Sequence, residues 1–119
     1  MRVLIIGASR NPARYSYLAM KRLEAAGHEV LLYNPGIDDI EGRPVVRDLA
    51  LVTGPVDTVT LYANPAHLEP LADRIIALSP RRIISNPGTE SAVIQVKAAA
   101  AGIEYLEACT LVLLSTGQF

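Results

Sequence analysis

The sequence predicts a three-layer α/β fold, in which helices cover both faces of a mostly parallel sheet of five or six strands. Two patterns predict it. Continuous apolar runs at residues 3–6, 30–33, 56–62, 83–84 and 103–106 have the composition of strands buried on both faces. Between most of them lie stretches with apolar residues at helical spacing, and such an alternation with right-handed crossovers gives parallel strands with helices on either side. The length agrees, because 119 residues suit one domain spanning 1–119.

Each element has its own signal. A first helix is expected over 13–26, with Leu18, Met20, Leu23 and Ala26 near helical spacing and Gly27 past its end. Residues 36–55 read as looser, with a short strand at Pro44-Val45-Val46. Asn64-Pro65 opens a second helix, a polar cap followed by proline in the first turn, which buries Leu68, Leu71, Ala72, Ile75 and Ile76 and stops before Ser79-Pro80. The third begins at Thr89-Glu90, carries Ala92, Val93, Val96 and Ala100 on one side, and ends at Gly102. The expected strand order is 3-2-1-4-5 with a sixth strand at the edge. That is a Rossmann-like sheet, whose ligands sit beyond the carboxyl ends of the strands where the order reverses.

Chemistry is therefore sought in the loops after the strands. The first is Gly7-Ala8-Ser9-Arg10-Asn11-Pro12. Gly7 permits close backbone approach, Ala8 and Ser9 leave room for a phosphate, and the following helix offers free N–H groups at its positive end. Ser9 and Asn11 add hydrogen-bonding side chains, and Arg10 and Arg14 add guanidinium groups that pair with phosphate. A tight turn with Asn11 as a helix cap explains the same residues without a ligand. The second strand ends in Tyr33-Asn34-Pro35, and Asn-Pro recurs as Asn64-Pro65 and in Asn86-Pro87-Gly88-Thr89. Taken singly these are caps or turns. Together they are expected to line one rim of the sheet with amides and small residues. The glycine-rich dinucleotide fingerprint is absent, and Asn34 stands where a dinucleotide-binding strand usually ends in a carboxylate.

Composition narrows the functional classes. A net charge of −1 provides no basic field for nucleic acid. The apolar run at the N-terminus is too short for a signal segment or a membrane span. One cysteine, Cys109, allows no internal disulfide, and the protein is expected to be cytoplasmic. Cys109 reads as a packed thiol, His28 and His67 as surface or capping residues, and Asp38, Asp39 and Glu41 as a solvated loop. No catalytic apparatus or metal cluster is apparent. The apolar residues 111–114 near the C-terminus are expected to pack over the core or at a subunit contact, with a symmetric homodimer as the expected assembly.

The residues from Val3 to Pro12, with 15–23, Gly27-His28-Glu29-Val30, Tyr33-Asn34-Pro35, Gly42 and Val56-Asp57, resemble those of the CoA-binding domain proteins related to the nucleotide-binding domain of succinyl-CoA synthetase α subunits. The resemblance implies that the first loop, with Ser9 and Asn11, lies on the pyrophosphate of coenzyme A, and Tyr15 at the start of the following helix is counted among the ligand-binding residues. It also implies that Asn34 and Pro35 lie near the adenosine. Many members carry a lysine after that Asn-Pro, where this chain has Gly36-Ile37-Asp38-Asp39. The ligand is then coenzyme A or an acyl-CoA with its 3′-phosphate neutralised by Arg10, Arg14 or solvent ions, or another adenine nucleotide lacking that phosphate. A small-molecule nucleotide ligand and a binding or regulatory role follow. The alternatives are an NAD(P)- or acyl-CoA-dependent enzyme and a ligand-free interaction protein.

Overall fold

The computed structural model describes every residue from Met1 to Phe119. Five parallel strands form the sheet: β1 (Arg2–Ile6), β2 (Glu29–Tyr33), β5 (Thr58–Leu61), β6 (Arg82–Ser85) and β7 (Glu104–Glu107), in the order β2-β1-β5-β6-β7. β1 is an interior strand, paired on both sides: Leu4 pairs with Leu31 on one flank and Val59 on the other. Its side chains alternate between two cores. Leu4 and Ile6 join Val59, Leu61, Ile75 and Ile94 on one face, while Val3 and Ile5 join Ala19, Met20 and Leu23 on the other. A continuous apolar strand is what such double burial requires.

Between β2 and β5 the expected third strand shrinks to one parallel bridge, Tyr33 to Val46. The preceding residues instead form an antiparallel hairpin of β3 (Asp39–Ile40) and β4 (Arg43–Pro44). Glu41 and Gly42 both take positive φ, 53° and 84°, at its tip. Two such residues make the tight turn whose twist suits a hairpin, and Pro44, lacking an N–H, belongs at an edge.

α1 (Tyr15–Ala25) buries Ser16, Ala19, Met20 and Leu23 against β1, whereas Leu18, expected inside, is exposed. The expected second helix is broken: α2 (Pro65–Leu68) passes through a 3₁₀ turn, Glu69–Leu71, into α3 (Ala72–Ala77). Pro70 explains the break, since it has no N–H to continue the ladder. α4 (Ala92–Ala100) starts after a Ser91 cap whose Oγ accepts from the Ile94 amide at 3.2 Å. It buries Ile94 and Ala98, so the expected inner face was wrong: Val93 and Val96 are exposed. The sheet meets the side marked by Ser91, Ile94 and Ala98, one step round an alanine-rich helix that is apolar on most sides. α5 (Thr110–Ser115) packs on the α1 side, with Leu111, Leu114 and Phe119 joining that core. No helix is long and apolar enough to cross a membrane.

Candidate functional site

The site lies at the carboxyl ends of β1, β2, β5 and β6, where crossovers depart to opposite faces. Its floor is a close backbone contact. Gly7, with φ of 93°, sits so near β5 that a Cβ there would lie 2.9 Å from the carbonyl carbon of Tyr62. The amides of Gly7 and Ala8 both donate to the Tyr33 carbonyl at 3.1 Å, and the Tyr62 amide donates to the Ile6 carbonyl at 2.8 Å.

From this floor the chain loops through residues 8–14 into α1. The Asn11 amide donates to Ser9 Oγ, and the Ala13 amide to Asn11 Oδ1, each at 3.0 Å. The backbone amides of Ser9, Arg10, Tyr15 and Ser16 find no acceptor in the protein. Two of these begin an eleven-residue helix, whose positive end therefore faces the opening. The arrangement is chemically suited to an anion held by backbone N–H groups. Arg14 borders the same space, and its guanidinium has no protein partner.

The space is a trough. Its main cavity, about 520 Å³, is walled by Gly7, Ala8, Ser9, Arg14, Tyr15, Ser16 and Asn34 on the first-loop side and by Tyr62, Ala63, Asn64, His67, Pro87 and Thr89 opposite. A cavity of about 350 Å³, with Ile6, Tyr33, Pro35 and Leu71 in its walls, shares Gly7, Asn34, Ala63 and His67 with it. At the other end a chamber of about 300 Å³ shares Tyr15, Tyr62 and Pro87 and reaches Asn86 and Cys109. Burial pushes the Tyr62 phenol up to about 12, and its hydroxyl has no hydrogen-bond partner.

Residues 1–115 match the family model of the CoA binding domain. The chain belongs to that family. YneT of Bacillus subtilis, an uncharacterized protein, is 31% identical over 75 residues, a match that covers 63% of this chain and 56% of YneT, so it spans little more than half of that relative. An uncharacterized protein of known crystal structure is 39% identical, with a TM-score of 0.93 and coverage of 99% of this chain and 97% of that one. A conserved hypothetical protein of Pyrococcus furiosus is 30% identical, with a TM-score of 0.78 over 88% of this chain and 90% of its own.

In this CoA-binding domain the structure gathers most of the residues singled out from sequence. Gly7, Ala8, Ser9, Arg14, Tyr15, Asn34, Asn64, Pro87 and Thr89 line the main cavity, and Pro35 the smaller one. Others stand apart from the trough. Arg10 turns away, donating from Nε to the Asp39 carbonyl at 2.7 Å and pairing with Asp38. Asn11 is spent bracing the loop, Pro12 and Pro65 lie outside the walls, and the Gly88 amide donates to Glu90.

The Asn-Pro pairs need a correction. Asn34 and Asn64 border the main cavity and Asn86 the end chamber, but their side chains are engaged by protein groups rather than free for a ligand, apart from the Nδ2 of the exposed Asn64. Asn34 donates from Nδ2 to the Ala8 carbonyl and accepts from the Gly36 amide, both at 2.7 Å. Asn64 caps α2 by accepting from the His67 amide. Asn86, buried, donates to Thr60 Oγ1 and the Leu61 carbonyl and accepts from the Thr110 amide. A buried amide gains more from such saturation than from waiting for a ligand. Each pair thus sets the shape of its loop.

Tyr62, Ser16 and His67 were missed. His67 was set aside as a surface or capping residue, yet it borders both large cavities. The available signal was its place in the first turn of a helix that opens on the rim. Cys109 is partly exposed at the end chamber rather than packed away. The acidic loop is not merely solvated: Asp38 pairs with Arg10, and Glu41 with Lys21 and Arg43.

Proposed function

We propose that this CoA-binding domain holds coenzyme A itself, along the trough and without transforming it, as a cytoplasmic ligand-binding or regulatory module. The observation that carries this reading is the cradle around Gly7: four unpartnered amides, two in the loop and two at the positive end of α1, with the unpaired Arg14 beside them. A pyrophosphate is the part of coenzyme A that such a cradle stabilises. The adenosine then takes the cavity walled by Ile6, Tyr33, Pro35 and Leu71. The thiol arm, free or acylated, runs towards Tyr15, Tyr62 and Cys109. Exposed apolar groups on α1 and α5, Leu18 and Val112, lie at the surface through which a symmetric homodimer would form.

Thermal unfolding in the presence of excess ligand tests the reading. A ligand at 100 times its dissociation constant stabilises the native state by about 2.7 kcal/mol. Coenzyme A and acetyl-CoA should raise the midpoint, and NAD and ATP should raise it less. A shift with NAD alone, or none with any nucleotide, would overturn it.

A further inference from the structure

We propose that the outer edge of β7 takes up an extended cationic segment of another protein as a sixth strand, with basic residues three apart facing Glu104 and Glu107. The sheet has two edges, and they are finished differently. Beside β2, Val46 closes part of the edge: its amide donates to the Leu32 carbonyl at 2.9 Å and its carbonyl accepts from the Asn34 amide at 3.1 Å. No segment pairs with the outer side of β7. In the parallel register with β6, residues 104, 106 and 108 turn their backbone groups inward. The Glu104 amide donates to the Arg81 carbonyl at 3.3 Å and the Ala108 amide to the Ser85 carbonyl at 3.1 Å. The amides and carbonyls of Tyr105 and Glu107 therefore point outward, and none of these groups has a partner in the protein.

Such an edge is commonly blunted by a proline, a lysine or a bulge. β7 has none of these and keeps its register with β6 throughout. Tyr105 and Leu106 are half-buried and leave apolar surface for the residues opposite them, while Glu104 and Glu107 are exposed. Neither carboxylate has an ion-pair partner. Arg82, in register with Glu104, is turned to Thr58, whose Oγ1 accepts from its Nε at 3.0 Å, and to the ring of Phe119. Arg81 is held by Asp57. Two copies of β7 laid edge to edge would gather the glutamates of both along one seam, and like charges facing each other across strands weaken the pairing. The glutamates thus guard the edge against a second copy while admitting a strand with lysine or arginine opposite each of them and apolar residues between. Main-chain bonds would supply the affinity of such a strand, and the charges its selection. The edge lies outside the walls of the trough, so both can be filled at once.

Amide-resolved NMR titration of the whole chain tests this with two capped probes, the peptide Thr-Lys-Val-Val-Lys-Thr and its counterpart with glutamate in place of both lysines. The wild-type chain should bind the lysine probe at least about tenfold more tightly than the glutamate probe. Shifts and slowed hydrogen exchange should centre on the Tyr105 and Glu107 amides, and added salt should weaken the lysine probe. In the double variant Glu104→Lys/Glu107→Lys the preference should reverse. Both positions are exposed, so these substitutions leave the core intact. Equal binding of the two probes, binding of neither, shifts centred away from β7, or a preference that survives the double substitution would overturn the proposal. Association of the wild-type chain with itself through the same amides, in the absence of peptide, would overturn it in favour of a second copy. None of these outcomes bears on the nucleotide reading of the trough.

Discussion

Gly7 shows how one residue type can be dictated by two requirements at once. Its φ of 93° disfavours any side chain, and a Cβ would meet the Tyr62 backbone at 2.9 Å. Neither requirement involves a ligand, yet the close approach of β1 and β5 that Gly7 permits is what places the cradle amides. Gly7→Ala should therefore cost about 1–3 kcal/mol from the strained backbone alone. Urea unfolding of the variant measures this, and a change under 0.5 kcal/mol would show that the loop relaxes freely. Single residues were the least legible part of the sequence. Gly7 could be read because it stands directly after a strand. The inward turn of Asn34 and Asn86 could not, because their partners, the carbonyls of Ala8 and Leu61, lie about 25 residues away in the chain. Arg10 was misjudged for the same reason: its acceptor belongs to a hairpin that carries no periodic signal.

Among the elements, the strands of the main sheet were visible because burial on both faces leaves an unbroken apolar run in the sequence. The face of α4 was not, since Ala92, Val93, Val96 and Ile94 offer the sheet several nearly equivalent sides. The β3–β4 hairpin escaped notice because strands of two residues are too short to alternate. It is held to α1 by charge instead: Glu41 receives a hydrogen bond from the Tyr17 hydroxyl and pairs with Lys21 at 2.9 Å. These contacts, the Tyr17 hydroxyl foremost, bring the Glu41 carboxyl down from 4.5 to about 2. A carboxylate depressed in the folded state binds fewer protons than when unfolded, so its stabilisation is full above about pH 4.5 and lost as pH falls towards 2. Glu41→Gln should accordingly flatten the decline in unfolding free energy across that window. An unaltered slope in the variant would assign the acid sensitivity to other carboxylates.

At the scale of the whole molecule, two apolar cores on opposite faces of one sheet leave the carboxyl ends of the strands as the place where loops meet. Thr60, Asn86 and Thr110 are bonded to one another beneath that edge, so β5, β6 and the start of α5 are fixed together and the walls of the trough are set before any ligand arrives. Pre-organisation of this kind lowers the ordering cost of binding. The overall architecture was legible from alternation alone, and the strand order pointed to the sheet edge along which the trough runs. The trough itself needed the structure, because it depends on where Tyr62 and His67 project. The most direct test of the account is isothermal titration of coenzyme A into the purified chain, alongside Ser9→Asp, which sets a negative charge in the cradle. The account predicts saturable one-to-one binding to the wild-type chain, weakened at least about tenfold in Ser9→Asp. Equal affinity in the two proteins, or no heat of binding in either, would contradict it.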